Sequence, residues 1–224
     1  MHPADQSPVN PLPTIVWVLF AAIVIPEALF SLGAAGMVGG PGAIGWRLAA
    51  INEVLVAGPY WEDVIRRGLT SDTALRFVAY PFVHEAFTST LFAAVLLLAL
   101  GKLVGEVMGQ LAVAVVFVLS AIFGAVVFCM VAGDDWMVGA FPAVYGLIGS
   151  YTFLMWRRSD ELGEGPARAF SLIGFLMGIQ ILFSLLFGGL SWVADLAGFF
   201  CGLVLSLVVV PGGLGRLRRL IQRK

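Results

Sequence analysis

Hydrophobic residues fill most of this chain in long blocks, which polar or helix-breaking residues separate. The blocks approach or exceed the roughly 20 residues that a helix needs to cross the hydrocarbon core of a bilayer. The pattern therefore predicts an all-α, polytopic membrane protein with one compact bundle. Its six predicted transmembrane helices lie at about 13–33, 75–100, 106–132, 139–156, 169–187 and 193–210.

The segments outside these blocks predict three parts. Residues 1–12 are rich in proline and polar residues and are predicted to be a disordered tail. Residues 13–212 hold the six-helix membrane domain, and residues 213–224 form a basic tail. Basic tails of this kind bind anionic lipid, so we expect membrane lipid to be a partner.

The connection between the first two predicted helices, at about 34–73, is too apolar for a free loop. Ile44, Leu48 and Ile51 recur at helical spacing, and a second amphipathic piece follows at 61–67. This periodicity predicts helices that lie in the membrane surface.

Basic residues are distributed unevenly between the two sides of the predicted bundle. With the N-terminus in the cytoplasm, nine of the 13 Lys and Arg residues lie on the cytoplasmic side. The positive-inside rule therefore predicts that both termini are cytoplasmic. The two cysteines fall in apolar runs and are predicted to be free thiols. This absence of disulfides and the short first-loop helices favour a bacterial inner membrane.

Glycines are spaced four or three residues apart in the fourth and sixth blocks. Gly146 and Gly149 lie in the glycine-rich stretch 139–151, and Gly198 and Gly202 lie in the last helix. Small residues at such spacing let two membrane helices approach closely. We therefore expect the fourth and sixth helices to pack against each other through these glycines.

Three of the blocks share residues at a recognisable spacing, namely Arg76, Phe82 and His84 in the second, Gly139, Tyr145 and Gly146 in the fourth, and Gly198 and Gly202 in the sixth. Together these residues resemble the rhomboid family of intramembrane serine proteases. The fourth block resembles the family's fourth core helix, and the start of the second block resembles its Trp-Arg…Phe-x-His entry. The resemblance implies the rhomboid fold, with a structured first loop beside the bundle and Arg76 and His84 as its anchors.

The same resemblance places unsuitable residues where the family carries its catalytic groups. Phe141 stands at the nucleophile position, and Asp195 stands where the family has its histidine base. Ser89 and Ala93 stand at the positions of the histidine and asparagine that help to form the oxyanion site. A phenyl ring cannot attack a carbonyl carbon, so Asp195 would have nothing to activate. We therefore predict no peptidase activity through the usual dyad.

The resemblance also implies a polar pair inside the bundle. In active relatives the tyrosine at the position of Tyr145 packs against the catalytic histidine. Tyr145 is therefore expected beside Asp195, with a hydrogen bond from the hydroxyl to the carboxyl group. No metal site and no cofactor are expected.

A rhomboid fold without its dyad implies a pseudoprotease. Inactive relatives, such as derlins and inactive rhomboids, bind transmembrane helices of client proteins. We expect the same here, in assembly, stability or quality control, or as an accessory subunit of a membrane complex. Nucleic acid is not an expected partner.

Two alternative functions stay open. One is a divergent rhomboid serine-type endopeptidase, which predicts cleavage that depends on Asp195. The other is a small membrane transporter, which ranks lower because the sequence shows no inverted repeat.

Overall fold

The computed structural model describes residues 11–161, 163, 167–187 and 189–210. Most of the predicted N-terminal tail and all of the basic tail at 213–224 lie outside the described residues. The predicted division of the chain and the orientation of its termini therefore stay predictions.

Helices make up most of the described chain, and six long ones form the bundle. Four of the six, the first, second, third and sixth, are long and apolar enough to cross a membrane. The predicted all-α, polytopic bundle is confirmed. In chain order the helices are α1 (Thr14–Ala34), α2 (Trp46–Val54), α3 (Gly58–Arg67), α4 (Ser71–Ala79), α5 (Phe87–Met108), α6 (Gln110–Val131), α7 (Phe141–Glu161), α8 (Ala167–Phe187) and α9 (Ser191–Val209).

The first loop contains the three short helices α2, α3 and α4. The amphipathic piece predicted at 61–67 forms most of α3, so the prediction of helices in this loop is confirmed. Two short antiparallel strands, β1 (Val56–Ala57) and β2 (Trp136–Met137), join the loop to the connection between α6 and α7. The first loop is thereby attached to the part of the bundle where α7 begins.

The second membrane helix starts later than the hydrophobic pattern predicted. A start at residue 75 was wrong, because that residue lies in α4 and the long helix α5 begins at Phe87. Pro81 sits in a 3-10 turn, and Val83 follows in an extended conformation with ψ 134°. The apolar run continues through this break, so hydropathy alone did not reveal it.

Two glycines with positive φ set the ends of neighbouring helices. Gly109, with φ 90°, separates α5 from α6, and Gly139, with φ 109°, precedes α7. Residues with a Cβ rarely adopt such angles. The third membrane helix therefore begins at Gln110 rather than at the predicted residue 106.

Helix α7 lies at the centre of the bundle and packs most extensively against α9. An added Cβ at Gly202 would collide with the Gly146 carbonyl, and one at Gly198 would collide with the Pro142 carbonyl. Likewise, a Cβ at Gly149 would meet the α9 backbone. The predicted close approach of the fourth and sixth helices through these glycines is confirmed.

Candidate functional site

A cavity of about 500 Å³ lies where α7 and α9 begin, beside α8 and the connection that precedes α5. Phe141 and Asp195, the two positions predicted to replace the dyad, both line it. Ser89 also lines the cavity, whereas Ala93 is fully buried elsewhere in the core. Three of the four positions assigned from the resemblance therefore meet in one place.

Asp195 is nearly inaccessible, with 3% of its surface exposed, and a neighbouring helix provides its partner. Gln180 Nε2 on α8 donates a hydrogen bond of 2.7 Å to Asp195 Oδ2. The predicted hydrogen bond from Tyr145 was wrong: the Tyr145 hydroxyl lies within electrostatic range of Asp195, but Gln180 is the donor. Helix α8 is rotated so that Gln180 lies next to the carboxyl group. The sequence did not indicate this rotation.

His84 fixes the start of α7 to the connection before α5. It is 2% exposed, and its Nε2 accepts a hydrogen bond of 3.1 Å from the Ala140 amide. Burial lowers the pKa of His84 to about 4, so the imidazole is neutral near pH 7. Because Nε2 accepts a hydrogen bond, Nδ1 carries the proton, and Nδ1 has no hydrogen-bond partner among the described residues.

A buried ion pair joins the first loop to the bundle, and the sequence analysis missed it. Arg47 donates to both carboxylate oxygens of Glu27, at 2.6 and 2.7 Å, and to the backbone carbonyl of His84 at 3.0 Å. Ser31 and Thr90 donate to the same carboxylate at 2.7 and 2.8 Å. A carboxylate inside a membrane helix needs such partners. The available signal for this pair was that Arg47 is the first Lys or Arg along the chain and follows Glu27.

Arg76 connects the helices of the first loop to one another. Its Nη1 donates to the Asn52 carbonyl at 2.9 Å, and its Nε donates to Asp72 at 3.2 Å. The guanidinium also lies 4.5 Å from the centre of the Tyr60 ring. Arg76 therefore connects helices within the first loop, and His84 holds the loop through the hydrogen bond that its carbonyl accepts from Arg47. Both residues lie where the first-loop anchors were expected.

The described residues contain no serine paired with His84. Nε2 of the imidazole accepts a hydrogen bond from a backbone amide, and Nδ1 has no partner among the described residues. Ser89 Oγ donates instead to the carbonyl of Ala86 at 2.8 Å. No three His, Cys, Asp or Glu side chains in the described part of the chain are placed to hold a metal ion.

The fold and this cavity together define a polytopic helical membrane protein with a partly polar cavity at the start of two glycine-packed helices. Residues 71–212, more than half of the chain, match the Rhomboid domain model, so the chain belongs to the rhomboid family. It is similar to the protein named "Putative rhomboid protease YdcA" of Bacillus subtilis (strain 168). The two sequences are 24% identical over 154 residues, which is 67% of this chain and 76% of the relative.

The depressed pKa of His84 predicts a loss of stability in acid. The folded protein binds the His84 proton less readily than the unfolded chain. The contribution of neutral His84 to the free energy of unfolding is therefore complete above pH ~6.5. It is lost as the pH falls toward the folded value of about 4. A depression of this size corresponds to about 3 kcal/mol. The measurement is the unfolding midpoint in detergent at several pH values between 7 and 4.

The matched variant for this measurement is His84→Gln. The Gln side-chain oxygen can still accept the hydrogen bond from the Ala140 amide, but it does not titrate. We expect a smaller loss of stability between pH 6.5 and 4 in the variant. Equal losses in the two proteins would show that other groups cause the acid sensitivity.

Proposed function

We propose that this rhomboid is a pseudoprotease that binds transmembrane helices of client or partner membrane proteins. The observation that carries the proposal is the meeting of Phe141 and Asp195 in one cavity beside α8. A phenyl ring occupies the place of the nucleophile, and a carboxyl group occupies the place of its base. The protein would act in assembly, stability or quality control in a bacterial inner membrane, with both termini in the cytoplasm.

The geometry around His84 argues against a relocated dyad. A serine nucleophile needs a base nitrogen within hydrogen-bond reach. The Nε2 atom of His84 is engaged by the Ala140 amide, and Ser89 bonds to a carbonyl group instead. Asp195 is held by Gln180. None of these polar groups is hydrogen-bonded to a hydroxyl that could attack a peptide bond.

The exposed surface of α8 and the cavity beside it suit the binding of another transmembrane helix. Helix α8 packs mainly against α7 and α9, so much of its surface is free to contact other membrane helices. Phe175 and Leu182 on this helix are 68% and 55% exposed. The cavity lies beside α8, and its lining includes polar side chains. A client helix that docks against α8 would therefore reach both an apolar surface and polar groups.

The test is co-purification of the tagged full-length protein from native membranes after chemical cross-linking. We expect a membrane protein to be recovered with the wild type and less of it with Phe175→Ala. The matched control is Leu111→Ala, because Leu111 is 77% exposed but lies on α6. Recovery of no membrane partner, or equal loss in both variants, would contradict docking at α8.

The wild type is also expected to leave transmembrane substrates intact. The reason is the absence of a hydroxyl or thiol at residue 141, where the covalent intermediate of a serine protease would form. The measurement is cleavage of a generic single-span substrate in lipid vesicles, with an active rhomboid as positive control. Cleavage that Asp195→Ala abolishes would instead establish the divergent endopeptidase.

A further inference from the structure

The cavity beside α8 has an acidic lining. Three carboxyl groups line it, those of Glu85, Asp135 and Asp195, and the described residues of the lining include no Lys or Arg. Asp135 is already engaged, because its two oxygens accept the amides of Trp136 and Leu190 at 2.9 and 3.0 Å. Asp195 and Glu85 are therefore the two carboxyl groups available to an occupant.

Two residues that line this cavity each hold a buried polar atom without a partner among the described residues. One is Gln180 Oε1, an acceptor, and the other is His84 Nδ1, which carries a proton and is a donor. Buried polar groups are costly when they stay unpaired. Because one atom accepts and the other donates, an occupant must offer both a donor and an acceptor. A polypeptide does so through its side chains and its backbone carbonyl groups.

Asp195 and Gln180 present their acceptors side by side. Gln180 Nε2 binds one oxygen of Asp195, and the unpartnered Gln180 Oε1 belongs to the same amide group. The free acceptor of Gln180 therefore lies close to the carboxyl group. A carboxylate next to an amide oxygen is a favourable site for a positively charged donor. Glu85 is exposed at the cavity and adds negative charge there.

We propose that this cavity selects client segments that carry a lysine or arginine, whose charged group binds Asp195 and Gln180 Oε1. A backbone carbonyl of the same segment accepts the hydrogen bond from His84 Nδ1. A basic residue is costly inside a membrane helix unless it is paired, and the cavity supplies the pairing carboxylate. This inference rests on the proposed function and names the class of client.

The test uses three single-span reporter helices that are identical except for one central residue, Lys, Leu or Glu. Each is expressed with the full-length protein, which carries a photo-crosslinking amino acid at Val138 in the cavity lining. We expect the Lys reporter to crosslink roughly tenfold more than the Leu reporter, as a coupling of about 1.4 kcal/mol would give. The Glu reporter is expected to crosslink least.

Asp195→Asn removes the charge and keeps an oxygen that can accept from Gln180 Nε2, so the fold is preserved. We expect this variant to crosslink the Lys and Leu reporters to within about twofold of each other. Asp63→Asn, on α3 and outside the cavity, is the matched control and should keep the full preference.

The outcomes separate the two proposals. Equal crosslinking of all three reporters to the wild type would overturn the charge selectivity and leave helix binding intact. A Lys preference that survives in Asp195→Asn would overturn the role of Asp195. Crosslinking of no reporter above the signal without illumination would overturn both helix binding and the selectivity.

Discussion

Replacing Gly202 with alanine is expected to lower the free energy of unfolding by about 3 kcal/mol or more, and leucine is expected to prevent folding. The added Cβ would collide with the backbone carbonyl of Gly146 on α7. A side chain could turn away from such a clash, but a helix carbonyl cannot. The clash can be relieved only if α7 moves away from α9. The contact between these two helices is the most extensive helix contact in the described structure.

The measurement is thermal unfolding of purified Gly202→Ala in detergent, beside Gly178→Ala as the matched control. Gly178 lies on α8, and an added Cβ there would meet nothing within 4 Å. Alanine is favoured over glycine in a helix by about 1 kcal/mol, so the control should be neutral or slightly stabilised. Equal unfolding midpoints for the two variants would refute the close approach of α7 and α9.

Replacing Arg47 with methionine is the second change with a large expected effect, a destabilisation of about 3–5 kcal/mol. The variant leaves the carboxylate of Glu27 buried, 5% exposed, without its cation. It also removes the hydrogen bond to the carbonyl of His84 and so loosens the first loop. The expected results are a lower unfolding midpoint and faster proteolysis of the first loop.

A double variant distinguishes the buried charge from the lost packing. Glu27→Gln combined with Arg47→Met removes both charges, and we expect it to recover much of the lost stability. Arg67→Met is the control, because Arg67 pairs with Asp63 on the exposed face of α3 and should contribute less than about 1 kcal/mol. A double variant as unstable as Arg47→Met alone would show that the charge on Glu27 is not the cause.

Much of the membrane domain could be predicted because its signals are local. Hydropathy located most ends of the long helices to within a few residues, but it placed α5 too early, with an end at residue 100 rather than Met108 and a start at residue 75 rather than Phe87. There the apolar run crosses a 3-10 turn at Pro81, and composition does not change at the turn. A helix in water shows its ends by polar residues, but a helix in lipid need not do so.

The candidate site was predicted in part. The resemblance placed Phe141 and Asp195 together, and the cavity contains both. Its polar partners were not predictable in the same way. Gln180 lies in a mostly apolar helix whose rotation the sequence does not show, and it takes the position expected of Tyr145 beside the carboxyl group.

The sequence by itself determined the helical membrane bundle, the glycine faces of α7 and α9, and the absence of a serine at residue 141 and a histidine at residue 195. Each of these follows from residue identity or from spacing within one helix. Only the tertiary structure decided that Arg47 pairs with Glu27 and that Gln180 binds Asp195. Each pair joins two different helices, so it depends on how the helices are rotated and shifted against each other.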